Sequence, residues 1–369
     1  MRLSRQPERE ASPRAAFTSI SRNSRPDVMR PQDLQGKDLI STQEWKREEI
    51  DYLMDFAADI KRKYRSNSVP ELFKNRTFFM LFYNTSTRTR SSFEAAATIL
   101  GGHSQFIDFA TTRGSEGESI KDMAKMYERM GHALGVRILE SAVDYVYGKG
   151  NAAIREYAKY ADIPVVNMAD DVYHPTQAIT DVFTLREKLG ARLEKKKYVL
   201  LWTYSDHIRS WGSMQDEMLI STKYGMDTVL AYPEGFDLDE KMVDAARSNA
   251  KKSGGSLEES HDPVEAMKEA DVVFPRSWAS HECVMTGMNR FTKEREVAMH
   301  DEHKDWRLTK KLADTMSREG IVTHVLPVFR GQEADDDVMD GPRSVIYDQA
   351  ENLLYVRAAV LALLAGTTK

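Results

Sequence analysis

Thr77-Phe78-Phe79-Met80-Leu81-Phe82-Tyr83-Asn84-Thr85-Ser86-Thr87-Arg88-Thr89-Arg90-Ser91-Ser92-Phe93-Glu94 joins two opposite characters in one stretch. Residues 76–83 are mostly Phe, Met and Leu, a run long enough for a buried strand. Residues 87–100 read as a helix, stopped by Gly101-Gly102. The first N–H groups of a helix are unpaired and carry partial positive charge, so they attract anions. Ser86, Thr87 and Thr89 add hydroxyl donors there, and Arg88 adds a planar fork suited to phosphate oxygens. The carboxyl end of a parallel strand is also where open α/β sheets bind ligands. An ordinary capped helix with surface arginines would have the same local composition, so the stretch alone does not separate the two.

The alternation continues on both sides. Upstream, Ser41-Thr42-Gln43-Glu44 reads as a capping box opening a helix, with Ile50, Leu53, Met54, Phe56 and Ala57 as its apolar stripe. Downstream, strands at 105–108, 134–139 and 164–168 alternate with helices at 118–130 and 152–160. A helix at 176–189 precedes a second series, with strands at 198–202, 228–231, 271–274 and 321–325. Helices at 238–252 and 264–269 lie between them, and residues 350–364 form an apolar helix. Strand-then-helix order argues for parallel sheets covered by helices on both faces. The expected fold class is α/β, with two doubly wound parallel-sheet domains. They span 36–185 and 186–345, and a C-terminal helix within 346–369 packs back on the first. No G-x-G-x-x-G dinucleotide fingerprint is present.

A length of 369 residues, 41% of them hydrophobic, suits two domains with separate cores. The formal charge of −5 supplies no basic field for nucleic acid. Cys283 is the single cysteine, which excludes intrachain disulfides and multi-thiolate metal sites and fits a reducing cytoplasm. No apolar run approaches the roughly 20 residues needed to span a bilayer. Residues 1–35 carry seven arginines among Ser and Pro without apolar periodicity, and read as a mobile tail. A transit peptide is the other reading of that segment, and Glu8, Glu10 and Asp27 weigh against it.

Two further motifs sit at strand ends. In Tyr173-His174-Pro175-Thr176-Gln177, His174 can donate to a developing oxyanion, and Gln177 can take an amide-like group from the same side. In His324-Val325-Leu326-Pro327, the proline fixes a turn and leaves nearby carbonyls open to a ligand amine. Either motif alone is more often structural.

Together, Ser86-Thr87-Arg88-Thr89-Arg90-Ser91-Ser92-Phe93-Glu94, Gly135-Val136-Arg137, His174-Pro175-Thr176-Gln177 and His324-Val325-Leu326-Pro327 resemble the aspartate/ornithine carbamoyltransferase family, in order and spacing, over 38–366. The resemblance implies the carbamoyltransferase fold and a homotrimer with shared active sites. It also implies an amino-terminal carbamoyl-phosphate domain and a carboxy-terminal acceptor domain, with no cofactor and no metal. Carried over by position, Ser86, Thr87, Arg88 and Thr89 hold the phosphate. Arg137 meets phosphate and carbonyl oxygen, His174 meets the carbonyl oxygen, and Gln177 with the Leu326 backbone holds the carbamoyl nitrogen. In such a reaction an uncharged amine attacks the carbamoyl carbon, and preset donors meet the charge that builds on oxygen.

The acceptor half departs from the ornithine pattern. Asp-x-x-x-Ser-Met-Gly is absent, and Arg276-Ser277-Trp278-Ala279-Ser280 stands in its region. Residues 198–275 are most similar to a branch that includes N-acetylornithine carbamoyltransferases and a diaminopropionate-type group. The loop 111–118 resembles one that a neighbouring subunit inserts in aspartate enzymes, with Glu116 in place of a lysine. A carboxylate there repels an acceptor's carboxylates and attracts an ammonium. Glu116, Arg209, Trp278, His281 and Arg330 are the candidate acceptor contacts. For Trp278 the plain alternative is core, and for Arg209 a solvated charge. The arginine that follows Ala-Glu-Asn in ornithine enzymes is Leu353 here, and Arg330 is the candidate replacement for it. His281-Glu282-Cys283 and His300-Asp301-Glu302-His303 do not match H-E-x-x-H and read as charged surface helix rather than metal sites. A non-catalytic anion-binding trimer and reverse phosphorolysis of a ureido compound are the remaining readings.

Overall fold

The computed structural model describes residues 29–287 and 292–367. Residues 1–28 of the expected tail lie outside these. The expectation of a structureless segment through residue 35 fails at its end. Pro31–Asp33 form a 3-10 turn, Leu34 is fully buried, and the Gly36 N–H donates to the Leu364 carbonyl at 2.9 Å.

The first half runs α1 (Arg47–Arg65), β1 (Thr77–Phe82), α2 (Thr87–Ile99), β2 (His103–Asp108), α3 (Ile120–Met130), β3 (Ala133–Ile138), α4 (Lys149–Tyr160), β4 (Val165–Asp170) and α5 (Pro175–Leu189). The second half runs β5 (Lys197–Trp202), α6 (Gly212–Lys223), β6 (Asp227–Ala231), α7 (Glu240–Ser253), β7 (Ser256–Ser260), α8 (Pro263–Met267) and β8 (Val272–Arg276). It continues through α9 (His281–Thr286), α10 (Lys293–Asp301), α11 (Lys310–Ala313), β9 (Ile321–Val322), α12 (Asp336–Met339) and α13 (Ile346–Ala365).

Both sheets are parallel, in the orders β2-β1-β3-β4 and β7-β6-β5-β8-β9. In each, the chain moves outward on one side and then returns to the other side of its first strand. The reversals fall between β1 and β3 and between β5 and β8. Loops leaving the carboxyl ends of such strands diverge and open a crevice. This architecture is the expected α/β class with two doubly wound sheets.

Three elements differ from the sequence expectation. Ser41–Glu44 does not open α1: Thr42–Glu44 is a 3-10 turn and α1 begins at Arg47, capped by Glu49, which accepts the Lys46 N–H at 2.8 Å. The Ser41 hydroxyl is instead bonded to Glu44 at 3.1 Å. Strand β7 (Ser-Leu-Glu-Glu-Ser) is a half-exposed edge, so it lacks the apolar run that marks a central strand. Helix α6 is buried all round, including Gln215, Asp216 and Glu217, so no amphipathic period shows it.

Close packing fixes the strands that carry the site. A Cβ on Gly135 in β3 would lie 2.5 Å from the Phe78 ring and 2.8 Å from the Met168 sulfur, so a side chain there would force those groups to shift. Helix α13 is almost entirely buried and packs on α1, α2 and α5. Leu353 and Arg357, near its middle, therefore reach the crevice beside α2.

Candidate active site

Each element delivers a charged or hydrogen-bonding side chain from a strand end. Ser86 caps α2, its hydroxyl oxygen accepting the Thr89 N–H at 3.3 Å. Asn84, in the β1–α2 loop, accepts the Leu139 N–H at 2.7 Å and donates to Ser141 at 2.8 Å. That amide ties the exit of β1 to the exit of β3, where Arg137 stands. Arg276 ends β8, and Arg209 lies in the loop after β5. The four arginines Arg88, Arg137, Arg209 and Arg276 thus leave the four strands that flank the two reversals.

They meet in one cavity of about 820 Å³. Ser86, Thr87, Arg88, Thr89, Arg137, His174, Gln177 and Leu326, all named from sequence, line it together with Arg209, Arg276 and Arg357. A second cavity of about 570 Å³ adjoins it and shares Glu140, Ile208, Arg209 and Ser210 as its wall. Tyr145, Tyr147, Asp171, Trp211 and Lys293 line that second space.

The guanidiniums are held without full pairing. Arg137 Nε, Arg209 Nε and Nη2, and Arg276 Nε and Nη1 are buried with no hydrogen-bond partner. Burial, with Arg88 nearby, lowers Arg137 to about 10. Burial, with Arg209 nearby, lowers Arg276 to about 10 as well. Arg209 also lies over the Phe329 ring, 4.7 Å from its centre. Buried polar groups normally find partners, so several open guanidinium N–H groups around one cavity mark a place for an anion.

His174 is positioned from two directions. Its backbone N–H donates to Asp216 at 2.6 Å, and Asp216 also accepts the Thr42 hydroxyl at 2.8 Å. Its Nδ1 lies 3.3 Å from the Ser213 hydroxyl, while Nε2 is buried without a partner. A Cβ on Gly212 would come 2.7 Å from the Asp170 carbonyl, so glycine lets the start of α6 bring Ser213 this close. Burial and the neighbouring Arg137 hold the imidazole well below its usual pKa, so it is neutral. The Ser213 hydroxyl can donate to Nδ1 or accept from it; in the tautomer where it donates, Nε2 carries the proton and is an uncharged donor.

Gln177 donates from Nε2 to Asp181 at 2.7 Å, and Gln349 donates to the same oxygen at 2.6 Å. This fixes which end of the Gln177 amide is the carbonyl, leaving Oε1 as an acceptor. Burial raises both Asp181 and Glu217, so the neighbouring carboxyls resist carrying two negative charges together. Leu326 has φ 53°, a left-handed backbone position, and its N–H donates to His324 Nδ1 at 2.8 Å. Glu333 accepts the Ser277 and Phe329 N–H groups at 3.1 and 2.8 Å. Despite its burial, His324 and Arg276 hold Glu333 down at about 2.

Of the candidate acceptor contacts, Arg209 lines both of these cavities and the other four line neither. Trp278 is core: it is fully buried and its indole donates to the Phe236 carbonyl at 2.8 Å. His281 faces the Asp237 carbonyl at 3.3 Å, outside both cavities. Arg330 is spent on Asp336 and Asp340 at 2.6–2.8 Å, so it does not replace the contact missing at Leu353. Glu116 is exposed and paired with Arg113. His300 is not on a solvated face as expected: it is buried between Glu296 and the Ser205 carbonyl. Cys283 lines the second cavity, where burial and Glu296 push its thiol up to about 12.

Sequence reasoning passed over Arg276, Glu140 and Arg357 as site residues. Arg276 lies two residues beyond the strand expected at 271–274, where its signal was readable. Glu140 follows β3 by two residues and keeps one carboxylate oxygen buried without a partner. Arg357 is one helical turn past Leu353, on the same face of α13, and both line the cavity.

Paired reversals with arginines and an open imidazole around one cleft define an α/β protein that seats a small anion and meets charge developing beside it. Residues 37–187 match the carbamoyl-phosphate-binding domain of aspartate/ornithine carbamoyltransferases, and residues 209–364 match their aspartate/ornithine-binding domain. An ornithine carbamoyltransferase from Pyrococcus abyssi (strain GE5 / Orsay) is 35% identical over 91% of this chain and 98% of its own. An N-acetylornithine carbamoyltransferase from Xanthomonas campestris pv. campestris is 33% identical over 90% and 99%. A solved acetylornithine transcarbamylase complexed with acetylcitrulline superposes with a TM-score of 0.81 at 32% identity, over 89% of this chain and 99% of that one. The ornithine carbamoyltransferase structure from Pyrococcus furiosus gives 0.79 at 35%, over 90% and 98%. The chain belongs to the aspartate/ornithine carbamoyltransferase family and is a carbamoyl-transferring enzyme.

Proposed function

We propose that this enzyme moves the carbamoyl group of carbamoyl phosphate to the amine of an ornithine-like or other diamino-acid acceptor and releases phosphate. The observation that carries this reading is the neutral His174, with Nε2 buried and unpaired, in the wall of a cavity lined by guanidiniums that keep unpaired N–H groups. The phosphate rests on the α2 turn against Ser86, Thr87, Arg88 and Thr89. Arg137 and His174 donate to the carbonyl oxygen. Gln177 Oε1 and the Leu326 carbonyl accept the carbamoyl N–H groups. The acceptor's neutral amine attacks the carbamoyl carbon, negative charge collects on the carbonyl oxygen, and the bond to the phosphate oxygen breaks. The departing phosphate takes the proton lost by the amine. Preset donors on the oxygen supply much of the acceleration.

The adjoining cavity of about 570 Å³ suits the rest of the acceptor, with Arg209 standing at the shared wall. In this reading residues 36–185 hold the donor and 186–345 the acceptor. The working form is a cytoplasmic homotrimer in which Glu116 enters a neighbour's acceptor site. The relatives on ornithine and N-acetylornithine support the acceptor class. Among the described residues no helix is long and apolar enough to cross a membrane. The test is ureido product and phosphate release over a panel of ornithine, N-acetylornithine and shorter diamino acids with carbamoyl phosphate. Turnover with at least one is expected. Tight donor binding without turnover on any amine would overturn the reading.

A further inference from the structure

Arg357 lies on α13, far in sequence from α2, yet its guanidinium closes the α2 side of the cavity. The side chain is 1% exposed. Its Nη1 donates to the Ser92 hydroxyl and to the Arg88 carbonyl, the latter at 3.2 Å. The group also lies over the Phe93 ring, 4.7 Å from its centre. One edge of the fork is therefore spent on the first turn of α2. Its Nε is buried and has no partner. Among the described residues no carboxylate bonds this guanidinium, and its charged neighbours are Arg137 and Arg88. Three guanidiniums this close repel one another unless an anion lies between them. Leu353, one turn earlier on the same face, offers the cavity only a hydrocarbon.

We propose that Arg357 is a donor-binding residue: its free edge contacts the phosphate of carbamoyl phosphate while Nη1 braces the turn that carries Arg88 and Thr89. The inference rests on the donor-site reading above and goes beyond it. A dianion between Arg88, Arg137 and Arg357 satisfies the buried N–H that no protein group takes up. The same contact couples donor arrival to the packing of α13 on α2, since the guanidinium spans both.

Calorimetry with carbamoyl phosphate and with inorganic phosphate tests this on the intact protein. Arg357→Gln removes the charge and leaves an amide near the position of Nε, short of the Nη1 contacts to Ser92 and the Arg88 carbonyl. It is expected to weaken both ligands roughly 10- to 100-fold, the range for one charge-assisted hydrogen bond. The melting temperature without ligand should change little. Moving the charge, in Leu353→Arg with Arg357→Gln, should recover at least tenfold of the lost affinity, because both positions line the same cavity. Phosphate binding by Arg357→Gln equal to that of the unaltered protein would overturn the inference. So would a double variant with no recovery. Failure of the unaltered protein to bind carbamoyl phosphate would instead strike the proposed reaction. If Arg357→Gln does not fold, Arg357→Lys serves: it keeps the charge but not the fork, and unchanged affinity for both anions would likewise overturn the bidentate role.

Discussion

His174 is uncharged because burial and adjacent guanidiniums exclude its protonated form, and with its proton on Nε2 it is a neutral donor. An imidazolium would attract the phosphate more strongly but would carry its charge into the resting site beside Arg137. A neutral Nε2–H instead strengthens its bond only as the carbonyl oxygen becomes negative, which is the differential binding that lowers a barrier. His174→Gln should reduce kcat by about 10²- to 10³-fold, measured by phosphate release at saturating donor. The same residue sets a pH dependence of stability. Its folded pKa lies below the unfolded value of about 6.5, so in that interval the unfolded chain binds a proton the native one refuses. Stability from His174 is present above about pH 6.5 and is lost as the pH falls. Denaturant midpoints of His174→Gln should therefore decline less between pH 7 and pH 5 than those of the unaltered protein.

At the scale of elements, the site depends on two close approaches. Helix α6 can bring Ser213 to His174 only because Gly212 lacks a Cβ beside the Asp170 carbonyl. Gly212→Ala should displace the start of α6 and loosen the imidazole. The expected outcome is a fall in kcat with donor affinity nearly kept, since the α2 anion seat lies on another element. In β3, Gly135→Ala pushes a methyl into Phe78 and Met168, and overpacking of this kind costs roughly 1–3 kcal/mol. Chemical denaturation would read it directly, and an unchanged midpoint would contradict the packing argument. The capping box at Ser41–Glu44 shows the reverse lesson. Its residues satisfy the motif, but Thr42 is drawn inward to Asp216 and the helix starts only at Arg47. A tertiary hydrogen bond outweighed a local signal.

For the whole molecule, the cost of the site is electrostatic. Arg276 is buried with two unpaired nitrogens, and its pKa is lowered to about 10 by burial and by Arg209. A buried charge of this kind is retained for function rather than stability. Arg276→Met should abolish turnover and lower the melting temperature of the ligand-free protein, because removing one member of a buried pair leaves the Glu333 carboxylate without its guanidinium neighbour. Inorganic phosphate should raise the melting temperature of the unaltered protein, by about 2.7 kcal/mol in stability at a hundred times its dissociation constant. Scanning calorimetry across a phosphate series checks both, and a melting temperature indifferent to phosphate would count against the anion cleft.

Strand-to-helix alternation was enough, in sequence alone, to set the α/β class; polar turns at strand ends brought Arg88, His174 and Gln177 forward, and their joint resemblance to a family added Arg137. These are local signals: each residue sits within a few positions of a strand end, and a parallel sheet sends all such ends to one edge. What only the tertiary structure decided is which distant groups share that edge. Arg357 comes from a helix near the other end of the chain, and Trp278, plausible by position, is turned into the core. Side-chain direction on a fully buried helix has no polar face to reveal it, and burial around an indole depends on neighbours that the local sequence does not name.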